Sequence, residues 1–223
     1  MKLKQAIIVG GIGLAIFACN PVRIVEPLKK GEKAIGANLG GAMVKLGKAP
    51  VVLPLSSIYG AYGITSKTTI HASFHVTSSL FGVLQTDVGI TYGLLKPKVW
   101  LPGISVGMHT HAMVDIWTGT GRIYPTPEIN IYRKWGKDKQ HTIYSGFNTW
   151  VELQSMRAHQ EPQPNIFLPS FQIGILLSTP RHQWQIECKQ LAIGISNQNL
   201  VVDYISPFSY GATGIYLGWV KKF

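Results

Sequence analysis

The chain has 223 residues, which suits one domain, or one domain with a small appendage. Charged residues make up only 14% of it, and 21 Lys plus Arg against 10 Asp plus Glu give a formal net charge of +11. This low charged fraction excludes a disordered charged tail protein, and two cysteines exclude a disulfide scaffold.

The first 18 residues have the pattern of an export signal. Lys2 and Lys4 precede an uncharged apolar run over residues 6–18, which is shorter than the roughly 20 residues that span a bilayer. The tetrad Ile16-Phe17-Ala18-Cys19 resembles the lipobox of bacterial lipoproteins. The resemblance implies a signal peptide over residues 1–18 and a covalent lipid, such as palmitate, at Cys19. An ordinary signal peptide or an uncleaved short anchor, with Cys19 incidental, is the alternative.

Residues 19–31 follow as a short segment that contains Pro21 and Pro27 and has no helical periodicity. We predict that it is a lipid-anchored tether that runs from the membrane to the folded body.

From Glu32 onward, apolar residues recur with a period of two. In the stretch from Ile104 to Ile116, for example, Ser105 shares a polar face with other polar side chains while the alternate residues are apolar. This pattern is typical of strands with one apolar and one polar face. Ten such segments follow one another, at residues 33–45, 53–65, 69–80, 84–95, 103–117, 122–134, 141–154, 167–178, 183–194 and 209–223.

The length of these segments and the scarcity of charge favour a membrane. Segments of about 9–14 residues suit tilted membrane strands, whereas a soluble barrel needs a charged exterior. We therefore predict an all-β fold, an antiparallel up-and-down transmembrane β-barrel of about ten strands over residues 32–223. The short turns that follow the second, fourth, sixth and eighth segments would lie on the same side as the tether. The longer loops would lie on the opposite side.

The chain ends in an alternating strand closed by an aromatic residue: Ile215, Leu217, Trp219 and Phe223 recur at period two. This resembles the C-terminal insertion signal of bacterial outer-membrane β-barrels, with Trp219 and Phe223 as its aromatic residues, although Lys221 stands where an apolar residue is usual. The resemblance covers residues 32–223 at the level of architecture and identifies no subfamily. It implies the cell outer membrane of a Gram-negative bacterium, with outer-membrane lipids as partners.

A cluster of imidazoles and carboxylates falls on the predicted lumen side of segments 3 to 5. Its members are His71, His75, Asp87, His109, His111 and Asp115. Such groups on neighbouring strands could hold Zn²⁺ or another transition metal. The alternatives are a hydrogen-bonded plug of the narrow lumen and a proton- or ligand-sensing site. We expect no cofactor other than the lipid at Cys19, with Zn²⁺ left open.

Four further charged residues also fall on inward faces, namely Glu128, Glu152, Glu187 and Lys189. Buried charges must pair or coordinate something, so we expect Lys189 to be the counter-ion of Glu152 or Glu187.

These patterns favour a non-catalytic protein. There is no Gly-x-Ser-x-Gly elbow and no Walker-type loop, and the bases are spread over turns rather than clustered as nucleic-acid binding requires. Short turns and modest loops indicate a structural or accessory subunit of a larger cell-envelope complex. The alternatives are a small pore or channel with a lumen lined by His and acids, and a lipid-modifying outer-membrane enzyme.

Overall fold

The computed structural model describes residues 20–47, 49–98, 100–156, 162, 164–198 and 202–223. The predicted signal peptide and the predicted acylation at Cys19 lie outside these residues. In the described part of the chain, no helix is long and apolar enough to cross a membrane.

Ten strands close into an antiparallel barrel, which confirms the predicted fold. The first two are β1 (Lys33–Leu46) and its neighbour β3 (Ser56–Gly63). Each later strand pairs with the one before it: β4 (Thr68–His75), β5 (Val83–Leu95), β6 (Gly103–Asp115), β7 (Gly121–Trp135), β8 (His141–Val151), β9 (Phe167–Ser178), β10 (His182–Ser196) and β11 (Tyr210–Lys222). The ring closes where β11 pairs with β1, from Ala34 opposite Lys222 to Ala42 opposite Gly214.

The structure departs from the prediction where the second segment begins and where the third segment ends. A short strand, β2 (Ala49–Val52), forms a hairpin with the end of β1, and residues 76–80 form a helical turn, α1 (Val76–Leu80). Pro54 lacks an amide hydrogen and cannot continue a ladder. The Thr77 hydroxyl donates to the carbonyl of Pro54 and accepts from the amide of Ser56, which joins the two connections.

The outward faces of the barrel are apolar. Each of the ten long strands exposes large aliphatic side chains, among them Ile35, Ile58, Ile70, Val88, Met108, Ile129, Ile143, Ile173, Ile186 and Leu217. In water such a continuous apolar wall would be strongly unfavourable. It is the surface that a lipid-facing barrel wall requires.

The two ends of the barrel differ in their connections. One end, here called the turn end, carries residues 64–67, 96–98, 100–102, 136–140 and 179–181 together with the start of β1 and the end of β11. The opposite end, the loop end, carries residues 47, 49–55, 76–82, 116–120, 152–156, 162, 164–166, 197–198 and 202–209. At the loop end, Tyr204 folds inward and is buried against Val44, Leu191 and Tyr216.

Candidate functional site: the filled lumen

The interior of the barrel is occupied by residues 20–28, here called the inner segment. Asn20 lies beside His75 at the loop end of β4, and Leu28 lies beside Thr69 at its turn end. The prediction of an external tether is therefore corrected for these residues. They enter the barrel because their apolar side chains and one arginine find partners on its inner wall.

The apolar side chains of the inner segment contact opposite walls. Val22 and Val25 are buried with a cluster on β7, β8 and β9, formed by Tyr132, Tyr144 and Leu176. Ile24 and Leu28 are buried with a cluster on β1, β3 and β11, formed by Ala34, Tyr59, Ala61 and Val220. The inner segment thus bridges the lumen between these two walls.

The backbone of the inner segment takes its hydrogen bonds from wall side chains. The Val22 amide donates to Glu187 Oε2 at 3.1 Å, and the Val22 carbonyl accepts from Gln185 Nε2 at 3.0 Å. The Leu28 amide donates to Thr69 Oγ1 at 2.8 Å. Buried backbone N–H and C=O groups need hydrogen-bond partners. In the inner segment, side chains of the wall provide hydrogen bonds that a neighbouring strand would otherwise provide.

Arg23 is the charged centre of the inner segment. Its Nη2 lies 2.9 Å from Asp87 Oδ2, and the two side chains are 3% and 1% exposed. The guanidinium also donates to Ser57 Oγ at 2.9 Å and to Ser73 Oγ at 3.0 Å. Charge-assisted hydrogen bonds of this kind are stronger than hydrogen bonds between neutral groups. This ion pair therefore stabilises the position of the inner segment against β5.

The predicted histidines converge on the same carboxylate. His75 Nε2 lies 2.9 Å from Asp87 Oδ2, and His111 Nδ1 lies 3.7 Å from it. His71 Nε2 lies 3.8 Å from Asp87 Oδ1. All four side chains are buried, and the structure therefore places them in one cluster around Asp87.

A second chain of contacts leads from this cluster to β7. His109 Nδ1 lies 3.2 Å from His71 Nε2, and His109 Nε2 lies 3.6 Å from Glu128 Oε1. Both imidazoles lie against the backbone at Gly89, where a Cβ would come within 2.4 Å of His109 Nδ1. Glycine at this position is what allows the two rings to approach β5.

Asp115 lies apart from this cluster. Its Oδ1 accepts from the amides of Trp117 and Thr118 at 2.8 and 3.1 Å. It therefore stabilises the turn after β6 at the loop end, because β6 ends there and its last side chain is no longer enclosed by the wall.

The inward charged residues find partners that differ from the predicted pairs. Lys189 Nζ donates to the carbonyl of Asn20 at 3.0 Å. Glu152 lies 3.7 Å from Arg122 Nη1, and Glu187 accepts from the hydroxyl of Tyr144 at 2.6 Å. Among the ion pairs of the described residues, neither Glu152 nor Glu187 pairs with Lys189. Glu187 and Lys189 share the inward face of β10, but Glu187 Oε2 accepts from the Val22 amide and the Tyr144 hydroxyl, while Lys189 turns to Asn20.

Two residues of the lumen cluster, Arg23 and Trp150, were not predicted from the sequence. Arg23 is a lone base inside the apolar run Val22–Val25, and this pattern could have indicated an internal ion pair. Trp150 stacks on His111 with ring centroids 4.5 Å apart. That contact depends on the barrel register, and no local signal indicates it.

The end of the chain closes the barrel at the turn end. The amide of Phe223 donates to the carbonyl of Lys33 at 2.8 Å, and the Lys33 amide donates back at 3.4 Å. Trp219 lies on the outer side of β11, with its ring 6.5 Å from that of Trp184. The insertion-signal role of Trp219 and Phe223 stays a prediction.

The apolar wall, the closed ring and the occupied polar lumen define a class: a membrane-spanning antiparallel β-barrel with an internal segment. No model of a known protein family matches the chain, and no curated protein matches it.

Several solved structures are similar to this chain. An outer membrane channel from Pseudomonas putida F1 is 10% identical, with a TM-score of 0.48 over 92% of this chain and 100% of that one. The translocator domain of the autotransporter NalP from Neisseria meningitidis is 7% identical, with a TM-score of 0.41 over 99% of this chain and 95% of that one. The outer membrane protein OprG from Pseudomonas aeruginosa is 12% identical, with a TM-score of 0.34 over 89% and 99%.

Proposed function

We propose that this protein is an outer-membrane channel for small polar solutes or ions, and that the inner segment holds it closed in the described state. The observation that carries the proposal is that a segment outside the barrel ladder fills the lumen. Closure therefore depends on a part of the chain that can leave without breaking a strand pair.

The wall behind the inner segment is suited to water and polar solutes. The buried inward side chains include Ser57, Thr69, Gln85, Asp87, Ser105, Asn130, Asn148, Gln172, Gln185, Glu187 and Lys189. A polar interior under an apolar exterior is typical of conducting membrane barrels. A purely structural barrel could fill the same volume with apolar side chains at no desolvation cost.

The inner segment has a pivot where it joins the barrel. The Gly31 amide donates to the carbonyl of Gly63 at 2.8 Å, and Gly31 has a φ of +81° that favours glycine. The Lys29 amide donates to Glu32 Oε2 at 2.9 Å. Residues 29–31 can thus stay at the turn end while residues 20–28 move.

The closed state is strongly favoured in the resting protein. Four buried aliphatic side chains, Val22, Ile24, Val25 and Leu28, each contribute about 1.5–3 kcal/mol to it. We therefore expect the wild-type protein to be almost silent, with opening driven by an additional force such as a ligand or a partner.

Charge reversal at the ion pair tests the proposal. In planar bilayers, Arg23→Glu places two carboxylates together in a buried site and should open the channel. The double variant Arg23→Glu with Asp87→Arg should restore the pair and the silence. Lys45→Glu is the matched control, because Lys45 lies in an exposed ion pair with Asp203 at 3.8 Å. Circular dichroism and heat-dependent gel mobility establish that each variant folds.

The second candidate is the structural or accessory subunit of a cell-envelope complex, which the filled lumen also favours. A folded Arg23→Glu variant that stays silent would support this role over the channel. An accessory subunit should co-purify with larger partners after mild detergent extraction of native membranes, whereas recovery as a monomer counts against it.

A further inference from the structure

We propose that His75, Asp87 and His111 form a binding site for a divalent transition metal ion such as Zn²⁺. The inference goes beyond the proposed channel, because metal can bind whether or not the lumen conducts. The three residues lie on the adjacent strands β4, β5 and β6, so the barrel wall itself holds them.

The geometry of the three side chains suits a small metal ion. One ligand atom from each residue lies within 4.8 Å of the other two. Asp87 Oδ2 is 2.9 Å from His75 Nε2 and 3.7 Å from His111 Nδ1. Ligand atoms around tetrahedral Zn²⁺ lie about 3.3 Å apart, as metal–ligand bonds of about 2.0–2.1 Å require. Modest side-chain movements would therefore bring the three atoms onto one ion.

An unpartnered nitrogen points into the site. His111 is 5% exposed, and its Nδ1 makes no hydrogen bond within the described part of the chain. The ring is held by stacking on Trp150, with an interplanar angle of 18°. A buried polar atom without a partner is costly. Coordination of a metal ion would satisfy this nitrogen.

A small cavity borders the site within the lumen. This cavity lies beside the inner segment and is lined by Asp87 and His111, by Arg23 of the inner segment, and by His109, Glu128 and Lys189 of the wall. With three protein ligands, a fourth position is left for water or a cavity group. Imidazole and carboxylate ligands together suit Zn²⁺ among the divalent ions.

Arg23 occupies the place of a cation at this carboxylate. Its guanidinium lies 2.9 Å from Asp87 Oδ2. The positive charge of the guanidinium would repel a divalent ion bound at His75 and His111. The ion and the guanidinium would also compete for the carboxylate oxygens of Asp87. Metal binding is therefore expected to favour the state in which the inner segment has left Asp87. On this reasoning, loss of the Arg23 charge raises the metal affinity.

Metal binding to the refolded full chain tests the proposal directly. Equilibrium dialysis with Zn²⁺ and the visible spectrum with Co²⁺ should show one ion per chain in Arg23→Gln, with an affinity about tenfold above that of the wild type. Adding His111→Phe, which keeps a ring against Trp150 but removes the nitrogen atoms, should lower the affinity at least about tenfold. Adding His75→Ala should do the same.

His182→Ala is the control, because this histidine lies beside Trp219 at the turn end and should leave binding unchanged. The proposal is overturned if Arg23→Gln binds no stoichiometric metal, or if its binding survives both His111→Phe and His75→Ala. Since no step of this experiment measures conductance, a silent channel would leave its result intact.

Discussion

Asp87 is the residue at which the barrel wall, the histidines and the inner segment meet. Its Oδ2 accepts from Arg23, from Ser73 and from Asn20, and it lies 2.9 Å from His75 Nε2. The side chain is 1% exposed. A carboxylate that is this deeply buried is stable only because these partners replace its hydration.

Asp87→Asn should therefore destabilise the protein. It removes the counter-ion of buried Arg23, and breaking one partner of a buried ion pair costs about 3–5 kcal/mol. The free energy of unfolding in detergent, from denaturant titration, checks this. Asp203→Asn is the control, because its pair with Lys45 is exposed and is worth about 0–1 kcal/mol. Equal losses in the two variants would contradict the central role of Asp87.

Gly89→Ala should disturb the histidine cluster. The new Cβ would come within 2.4 Å of His109 Nδ1 and 2.6 Å of His71 Cε1, and overpacking of this kind costs about 1–3 kcal/mol. Gly60→Ala is the matched control on β3, because a Cβ there meets no atom within 4 Å. Denaturant titration should separate the two variants, and a Gly89→Ala protein as stable as Gly60→Ala would be the contrary result.

At the scale of the structural elements, the position of the inner segment affects what we expect for the predicted lipid at Cys19. Acyl chains must reach the bilayer, whereas the neighbouring Asn20 contacts His75 and Lys189 inside the barrel. We therefore expect protein whose residues 20–28 occupy the lumen to carry no lipid on Cys19. Intact-mass spectrometry of the membrane-extracted protein, with Cys19→Ala for comparison, measures this. An acylated protein with the Arg23 contact still formed would contradict the expectation.

The strands were readable from sequence, whereas the inner segment was not. The alternation of apolar and polar residues in β6 and β8 is a local property, because each strand has one face in lipid and one face in the lumen. The bounds of these strands were therefore predicted to within a few residues. At β4 the alternation runs on past His75, although the strand ends there and α1 begins. For residues 20–28, the hydrogen-bond partners of Val22, Arg23 and Leu28 lie on wall strands more than 25 positions away in sequence, and no local period reports such contacts.

The same distinction applies to the site. His71, His75, Asp87, His109 and His111 follow from the face of each strand, so the sequence predicts that they share the lumen. Their partners depend on the register between strands and on what fills the space between them. Arg23 at Asp87 and Asn20 at Lys189 are contacts of this second kind.

At the scale of the whole molecule, the scarcity of charge has two explanations. The apolar exterior needs none, and the lumen holds its charges in contacts such as Arg23 with Asp87 and Arg122 with Glu152. In the proposed channel, the barrel is a wall around one segment that can leave the lumen. Whether a solute passes depends, on this account, on the position of residues 20–28.

A reversible crosslink between the inner segment and the wall tests this claim most directly. Val22 and Leu176 belong to one buried cluster, so Val22→Cys and Leu176→Cys can be joined by a short cleavable thiol crosslinker. The background is Arg23→Glu with Cys19→Ser and Cys188→Ser, and the measurement is single-channel conductance in planar bilayers. We predict silence with the crosslink and conductance after its cleavage. Conductance that is unchanged by the crosslink, or silence in both states, would contradict the account.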